Sequence, residues 1–134
     1  MSASFLIILY IIFRAKHFVC DFLLQTDWMA LTKGKPGKEG YQALFIHTSI
    51  HALFTFGIVM IFAPSLWWLG PLDFVTHSLI DRFKGVFTFN KGWQPKDTIF
   101  WWTFGLDQEA HNITHMVYIV LIAINMGIVC FYFS

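Results

Sequence analysis

The sequence carries six histidines, and each of them lies four residues from another histidine or from an aspartate. Four residues make about one turn of an α-helix, so the two side chains of such a pair share one helix face. Two ligands with this spacing can bind a single metal ion. The spacing therefore indicates metal chemistry carried by helices.

Four of these pairs recur at intervals of thirty residues. His17, His47, His77 and Asp107 begin the pairs, and each has its partner four residues later. In an up-and-down bundle, the odd-numbered helices carry their pair near the C-terminal end and the even-numbered ones near the N-terminal end, so all pairs reach one depth. We predict a single metal site formed by nine side chains: His17, Asp21, His47, His51, His77, Asp81, Asp107, His111 and His115.

The predicted ligands are imidazoles and carboxylates without a thiolate, a set that favours zinc, iron or manganese. Catalytic zinc takes about three protein ligands and a water, so these groups predict two or three divalent ions, with zinc preferred. The alternative for any one pair is a hydrogen-bonded histidine packed between helices. The convergence of four pairs at one depth favours the metal site.

Two basic residues are predicted to face the same site. Arg14 lies three residues before His17, and Lys84 lies three residues after Asp81, so each shares a helix face with predicted ligands. There they would bind an anion, most naturally a phosphate. The alternative is that both side chains reach the membrane interface or pair with the nearby aspartates.

Three further polar residues receive a structural interpretation. Lys16 and Arg82 are expected to point away from the site and to act as interface anchors. Gln25 lies one turn after Asp21 and is expected to orient its carboxylate.

The composition predicts that these helices lie in a membrane. Hydrophobic residues make up 57% of the chain and charged residues 13%, against roughly 25% charged in soluble domains, and the mean hydropathy is +0.60. Four segments have about the 20 residues that a membrane-spanning helix needs: 4–24, 42–63, 66–85 and 109–133. The aromatic segment 98–106 is expected at the interface. We predict an all-α integral membrane four-helix up-down bundle in a single domain, residues 1–134.

The basic residues predict the orientation of this bundle. All of them lie in the 25–41 and 85–97 connections or in the helix halves next to them. The positive-inside rule then puts both connections and the metal site at the cytoplasmic side of a bacterial inner (plasma) membrane, with both termini outside. A net charge of +1 without a basic stripe argues against nucleic-acid binding.

Several functions fit a metal site at the cytoplasmic leaflet. The favoured one is a metal-dependent hydrolase of a phosphoester on a membrane lipid or lipid-linked substrate. A di-iron oxidase or hydroxylase is the second. A transporter of a divalent ion or proton is disfavoured because the outer halves of the predicted helices are apolar, and a metal-stabilised interaction protein also stays open.

Four stretches carry a family resemblance: HFVCDFLLQTDWMALTKG, ALFIHTSIHALFTF, THSLIDRFK and DQEAHNITH. In order and spacing they resemble small bacterial and phage membrane proteins grouped as domain of unknown function 3307. That resemblance implies a helical membrane fold and a metal site, and no particular reaction.

The repeated H-x-x-x-D pattern is more distantly similar to helical zinc phosphoesterases, including the zinc-dependent phospholipase C and single-strand nuclease group, and to LexA-regulated membrane-bound metal-dependent hydrolases. The soluble enzymes also bind metal through their N-terminal amine. Here the predicted topology puts Met1 on the far side of the membrane from the ligands.

The distribution of basic residues yields a topology prediction. A reporter fused after Ser134 should be active outside the cytoplasm, whereas one inserted at Gly37 should be active inside it. Paired alkaline phosphatase and fluorescent-protein fusions measure this directly. The reverse pattern would contradict both the orientation and the cytoplasmic position of the metal site.

Overall fold

The computed structural model describes residues 2–128, and all regular structure within this part of the chain is helical. The all-α prediction is therefore confirmed for the described residues. The α-helices are α1 (Ser2–Phe18), α2 (Asp27–Thr32), α3 (Lys38–Phe62), α4 (Leu69–Lys91) and α5 (Thr98–Asn125).

The four long helices surround a common interior. Helix α3 packs against α4, α4 against α5, α5 against α1, and α1 against α3. One end of this interior is apolar and is filled by Leu9, Phe13, Val59, Leu69 and Ile122, all of them fully buried. The cluster includes the start of α4 (Leu69) and the ends of α3 (Val59) and α5 (Ile122), and Phe5 and Leu6 near the start of α1 pack against it. Helices α1 and α4 therefore run opposite to α3 and α5, and the polar pairs meet at the other end.

Helix α1 ends in a π-helical turn, Val19–Leu23, which contains Asp21. The amide of Leu24 donates to the carbonyl of Val19 at 3.0 Å, the i→i+5 bond of such a turn. Single π turns are often found at functional sites because the extra residue re-aims a side chain. The Gln25 amide donates to the backbone carbonyl of Asp21 at 3.1 Å rather than to its carboxylate, so the predicted role of Gln25 is wrong.

The connection after α1 contains a helix that the sequence did not predict. Thr26 caps α2 by accepting a hydrogen bond from the amide of Met29 at 3.3 Å. Arg82, expected to point away as an anchor, instead donates to the carbonyls of Lys33 and Lys35 and stacks over Tyr41 at 4.3 Å. Arg82 therefore holds the connection between α1 and α3 against α4.

Several helix boundaries differ from the prediction, the end of α4 and the start of α5 most of all. Helix α4 continues past residue 85 to Lys91 and ends at Gly92, whose φ of +65° suits glycine. Helix α5 begins at Thr98, so the segment 98–106 forms its first part. Helix α5 ends at Asn125, while Met1 and the predicted helix end at 129–133 lie outside the described residues.

Two helical stretches among the described residues are long and apolar enough to cross a membrane, Ala3–Leu23 and Lys38–Phe62. Large apolar side chains are also exposed on every long helix, for example Ile7 (59%), Ile61 (75%), Phe83 (76%) and Leu106 (71%). Both features are typical of a protein that contacts lipid.

The connection before α3 touches α4 through two glycines. A Cβ atom added at Gly85 would lie 2.7 Å from the Cα of Gly34, which is closer than real contacts allow. The two backbones can approach in this way only because neither residue has a side chain.

This contact predicts opposite effects for two Gly→Ala substitutions in helices. Gly85→Ala should lower the free energy of unfolding by about 1–3 kcal/mol because it forces the backbones apart. Gly105→Ala is the control, since its Cβ would meet nothing within 4 Å; it should stabilise the protein by roughly 0.5–1 kcal/mol. Thermal unfolding in detergent measures both. Equal effects of the two substitutions would contradict the close contact.

Candidate metal centre

The carboxylate of Asp21 is surrounded by side chains from three helices. The Nε2 atoms of His17 and His51 each lie 3.0 Å from a carboxylate oxygen, and that of His47 lies 3.5 Å away. The amide of Gln108 donates to the same carboxylate at 3.3 Å. The π turn thus aims Asp21 into the interior, where α3 and α5 supply its partners.

The carboxylate of Asp81, on α4, has a similar environment. The Nε2 atoms of His47 and His111 lie 3.2 Å from its oxygens, and that of His77 lies 3.8 Å away. The ammonium of Lys33 is 2.7 Å from Oδ2. His47 is therefore close to both aspartates, and the two carboxylates belong to one continuous site.

The ligand atoms of this site form two overlapping groups. Within each group, one ring nitrogen or carboxylate oxygen per residue lies within 4.8 Å of all the others. The first group is Asp21, His47, His51 and His77, and the second is His77, Asp81 and His111. Such distances allow the atoms of each group to converge on one divalent ion after small side-chain rotations.

Several ring nitrogens of the site are buried without a partner. Among the described residues, neither nitrogen of His47 or of His77 has a hydrogen-bond partner. An unsatisfied buried polar atom costs about 1–3 kcal/mol. A metal ion would accept the lone pair of one nitrogen in each ring, so the donor set fits a divalent cation.

The imidazole rings also lie close to one another. The centroids of His51 and His77 are 3.8 Å apart, and those of His77 and His111 are 3.9 Å apart. Positive charges at that separation in a buried site repel each other strongly. The packing therefore disfavours protonation of neighbouring rings at the same time, and the neutral imidazole is the form that binds metal ions.

Three of the nine predicted ligands lie outside the two close groups. His17 contacts Asp21 but also approaches the Gln108 carbonyl oxygen, with 3.2 Å between the polar atoms. Asp107 is at one edge, 3.7 Å from His111 Nε2. His115 lies one helical turn beyond His111, toward the apolar end of the interior. The prediction that all nine side chains share one layer therefore holds only in part.

The deeper layer contains a buried ion pair that contradicts one prediction. Lys16, expected to be an interface anchor, is only 4% exposed, and its ammonium lies 3.0 Å from Asp73 Oδ2. Thr55 donates to the same oxygen at 2.7 Å, and His115 Nε2 lies 3.4 Å from the ammonium. Lys16 points inward because the buried carboxylate of Asp73 requires a cation.

The two predicted anion-binding residues have different positions. The ammonium of Lys84 lies 3.6 Å from Asp107 Oδ2 and 5.3 Å from the centre of the Phe104 ring. Arg14 donates to the side-chain oxygen of Asn112 at 3.4 Å. Lys84 therefore lies next to the candidate metal centre. Arg14 instead contacts Asn112, the residue that follows His111 in the chain.

The geometry makes a prediction about metal content. Because His77 belongs to both close groups, His77→Gln should reduce the bound metal by about half or more of a complement of about two ions per chain. His115→Gln is the matched control and should keep the full complement. Elemental analysis of protein purified in detergent measures both. Equal metal content in the two variants would contradict the central position of His77.

Comparisons with known proteins give a family for this chain. Neither the curated proteins nor the solved structures include a match. Residues 6–133 match the family described as "Protein of unknown function (DUF3307)". This match covers nearly the whole chain, and the chain belongs to the DUF3307 family.

Proposed function

We propose that the protein is a membrane-embedded, metal-dependent hydrolase of a phosphoester on a lipid or lipid-linked substrate. In this proposal the four long helices form an up-down bundle across the bacterial inner membrane, with both termini outside. The observation that carries it is the pair of carboxylates, partly buried Asp21 and buried Asp81, each approached by three histidine Nε2 atoms.

The two close groups together contain six residues, enough for two ions with three protein ligands each. We assign Asp21, His47 and His51 to one ion and His77, Asp81 and His111 to the other. Three ligands with an open position are typical of catalytic zinc. Zinc is therefore our preferred metal, with iron or manganese as alternatives.

A pair of divalent ions supplies polarisation of the phosphoryl group and activation of water. The chain supplies the charges around them. Lys84 is close enough to the site edge to give a phosphate a charge-assisted hydrogen bond. Asp107, whose Oδ1 has no hydrogen-bond partner among the described residues, is our candidate proton acceptor. We assign Arg14 a positioning role, which it exerts through its hydrogen bond to the side chain of Asn112.

Two observations support a membrane location. Two helices have the length and hydropathy of membrane spans, and apolar side chains are exposed on every long helix. A phosphoester carried by a lipid would reach such a site from the membrane, whereas a soluble one would have to leave water.

Transport across the membrane is less well supported. Within residues 2–128, the buried charged groups extend from the candidate metal centre as far as the pair of Lys16 and Asp73. Beyond that pair the interior is filled by Phe13, Leu69 and Ile122, all without solvent exposure. An ion path would need polar groups there to replace the hydration of the ion.

The hydrolase proposal predicts separate effects for a ligand and for an anion-binding residue. Asp81→Asn should lose metal and activity together. Lys84→Met should keep its metal and raise the KM about tenfold or more, since a hydrogen bond to a charged group contributes about 1.5–3 kcal/mol. Lys91→Met, an exposed position on the same helix, should match the unmodified protein.

The assay is release of phosphate or phosphoalcohol from a panel of phospholipids and prenyl phosphates, with and without a chelator. Absence of chelator-sensitive release by fully metal-loaded protein from every member of the panel would contradict the proposal. Bound iron together with that result would favour the oxidase.

A further inference from the structure

A groove of about 450 Å³ runs between α4 and α5. Leu79, Phe83 and Phe87 form its α4 wall, and Leu106 forms much of its α5 wall. Lys84 and Asp107 are the charged residues of the lining. The volume lies within the range of small-molecule sites, about 300–1,000 Å³.

The groove opens sideways, toward the surroundings of the helices. Phe83 is 76% exposed, Leu106 71% and Leu79 66%. In a membrane this face meets acyl chains, so a hydrocarbon chain can enter the groove without crossing water.

The polar groups connect the groove to the candidate metal centre. Asp107 lines the groove and lies 3.7 Å from His111 Nε2, which in turn is 3.2 Å from Asp81. Lys84 brings a positive charge to the same place, 3.6 Å from Asp107. An apolar wall that ends at a cation matches a molecule with a hydrocarbon chain and an anionic head.

A second groove provides an internal comparison. It lies between α3 and α4, has a similar volume of about 460 Å³, and is lined by Leu53, Phe56 and Phe74 among others. Its lining includes no charged residue. The combination of an apolar wall with a cation beside the metal ligands therefore distinguishes the groove between α4 and α5.

We propose that the groove between α4 and α5 binds the hydrocarbon chain of a phosphate-headed lipid, whose phosphate contacts Lys84 and faces the metal centre. As a statement about the substrate, this rests on the proposed function and restricts it to lipids that approach sideways from the bilayer. As a statement about binding, it is testable without turnover.

The test is native mass spectrometry of the metal-loaded protein in detergent. The probe is a phosphonate analogue of dioleoyl phosphatidic acid, whose P–C bond resists hydrolysis, and dioleoylglycerol is the neutral comparison. The unmodified protein should retain one phosphonate lipid in preference to dioleoylglycerol. Leu106→Trp and Leu79→Trp, from opposite walls, should each lower the bound fraction about tenfold by filling the groove.

Leu53→Trp is the matched control, since Leu53 is 69% exposed and lines the uncharged groove; it should retain the lipid. Lys84→Met should remove the preference for the phosphonate. Metal content, measured on each preparation, verifies that the variants are folded. Equal retention by the Leu106→Trp and Leu53→Trp proteins, or no preference for the phosphonate in the unmodified protein, would overturn the inference. Retention without chelator-sensitive hydrolysis would support the groove and contradict the proposed hydrolase.

Discussion

Two carboxylates in the interior between the helices, Asp81 buried and Asp21 partly buried, impose the main constraint on this molecule. Removing a charge from water costs several kcal/mol even after the protein relaxes, so Asp21 and Asp81 need partners from neighbouring segments. Asp21 obtains them from α1, α3 and α5, and Asp81 from α3, α4, α5 and Lys33. The π turn and the connection tied down by Arg82 are the local features that bring these partners together.

The same constraint explains why polar groups are concentrated at one end of the interior. The candidate metal centre, the pair of Lys16 and Asp73 below it and the edge formed by Lys84 and Asp107 are successive layers along the helix axes. Each layer places a cation or an imidazole beside its carboxylates. The apolar end, with Phe13 and Leu69, closes the interior. The polar end of the interior therefore contains the candidate metal centre, and the apolar end packs the helices together.

Helical spacing explains what was predictable from the sequence. Pairs four residues apart face one side of a helix, so the convergence of His47, His51 and His77 with Asp81 could be predicted. Asp73, four residues before His77, extends the same stripe and was a missed signal.

The contribution of Lys33 could not be predicted, because its position depends on α2 and on the contact between Gly34 and Gly85. The inward direction of Lys16 was also missed, since it depends on Asp73 in a distant helix.

The central claim is that Asp21 and Asp81 belong to one site for two metal ions. Anomalous X-ray diffraction from crystals of the purified protein, recorded at the absorption edges of zinc, iron and manganese, tests it most directly. The account predicts two peaks about 3.5–4 Å apart, one beside Asp21 with His51 and the other beside Asp81 with His111. Crystals of metal-supplemented protein without an anomalous peak between these aspartates would contradict it.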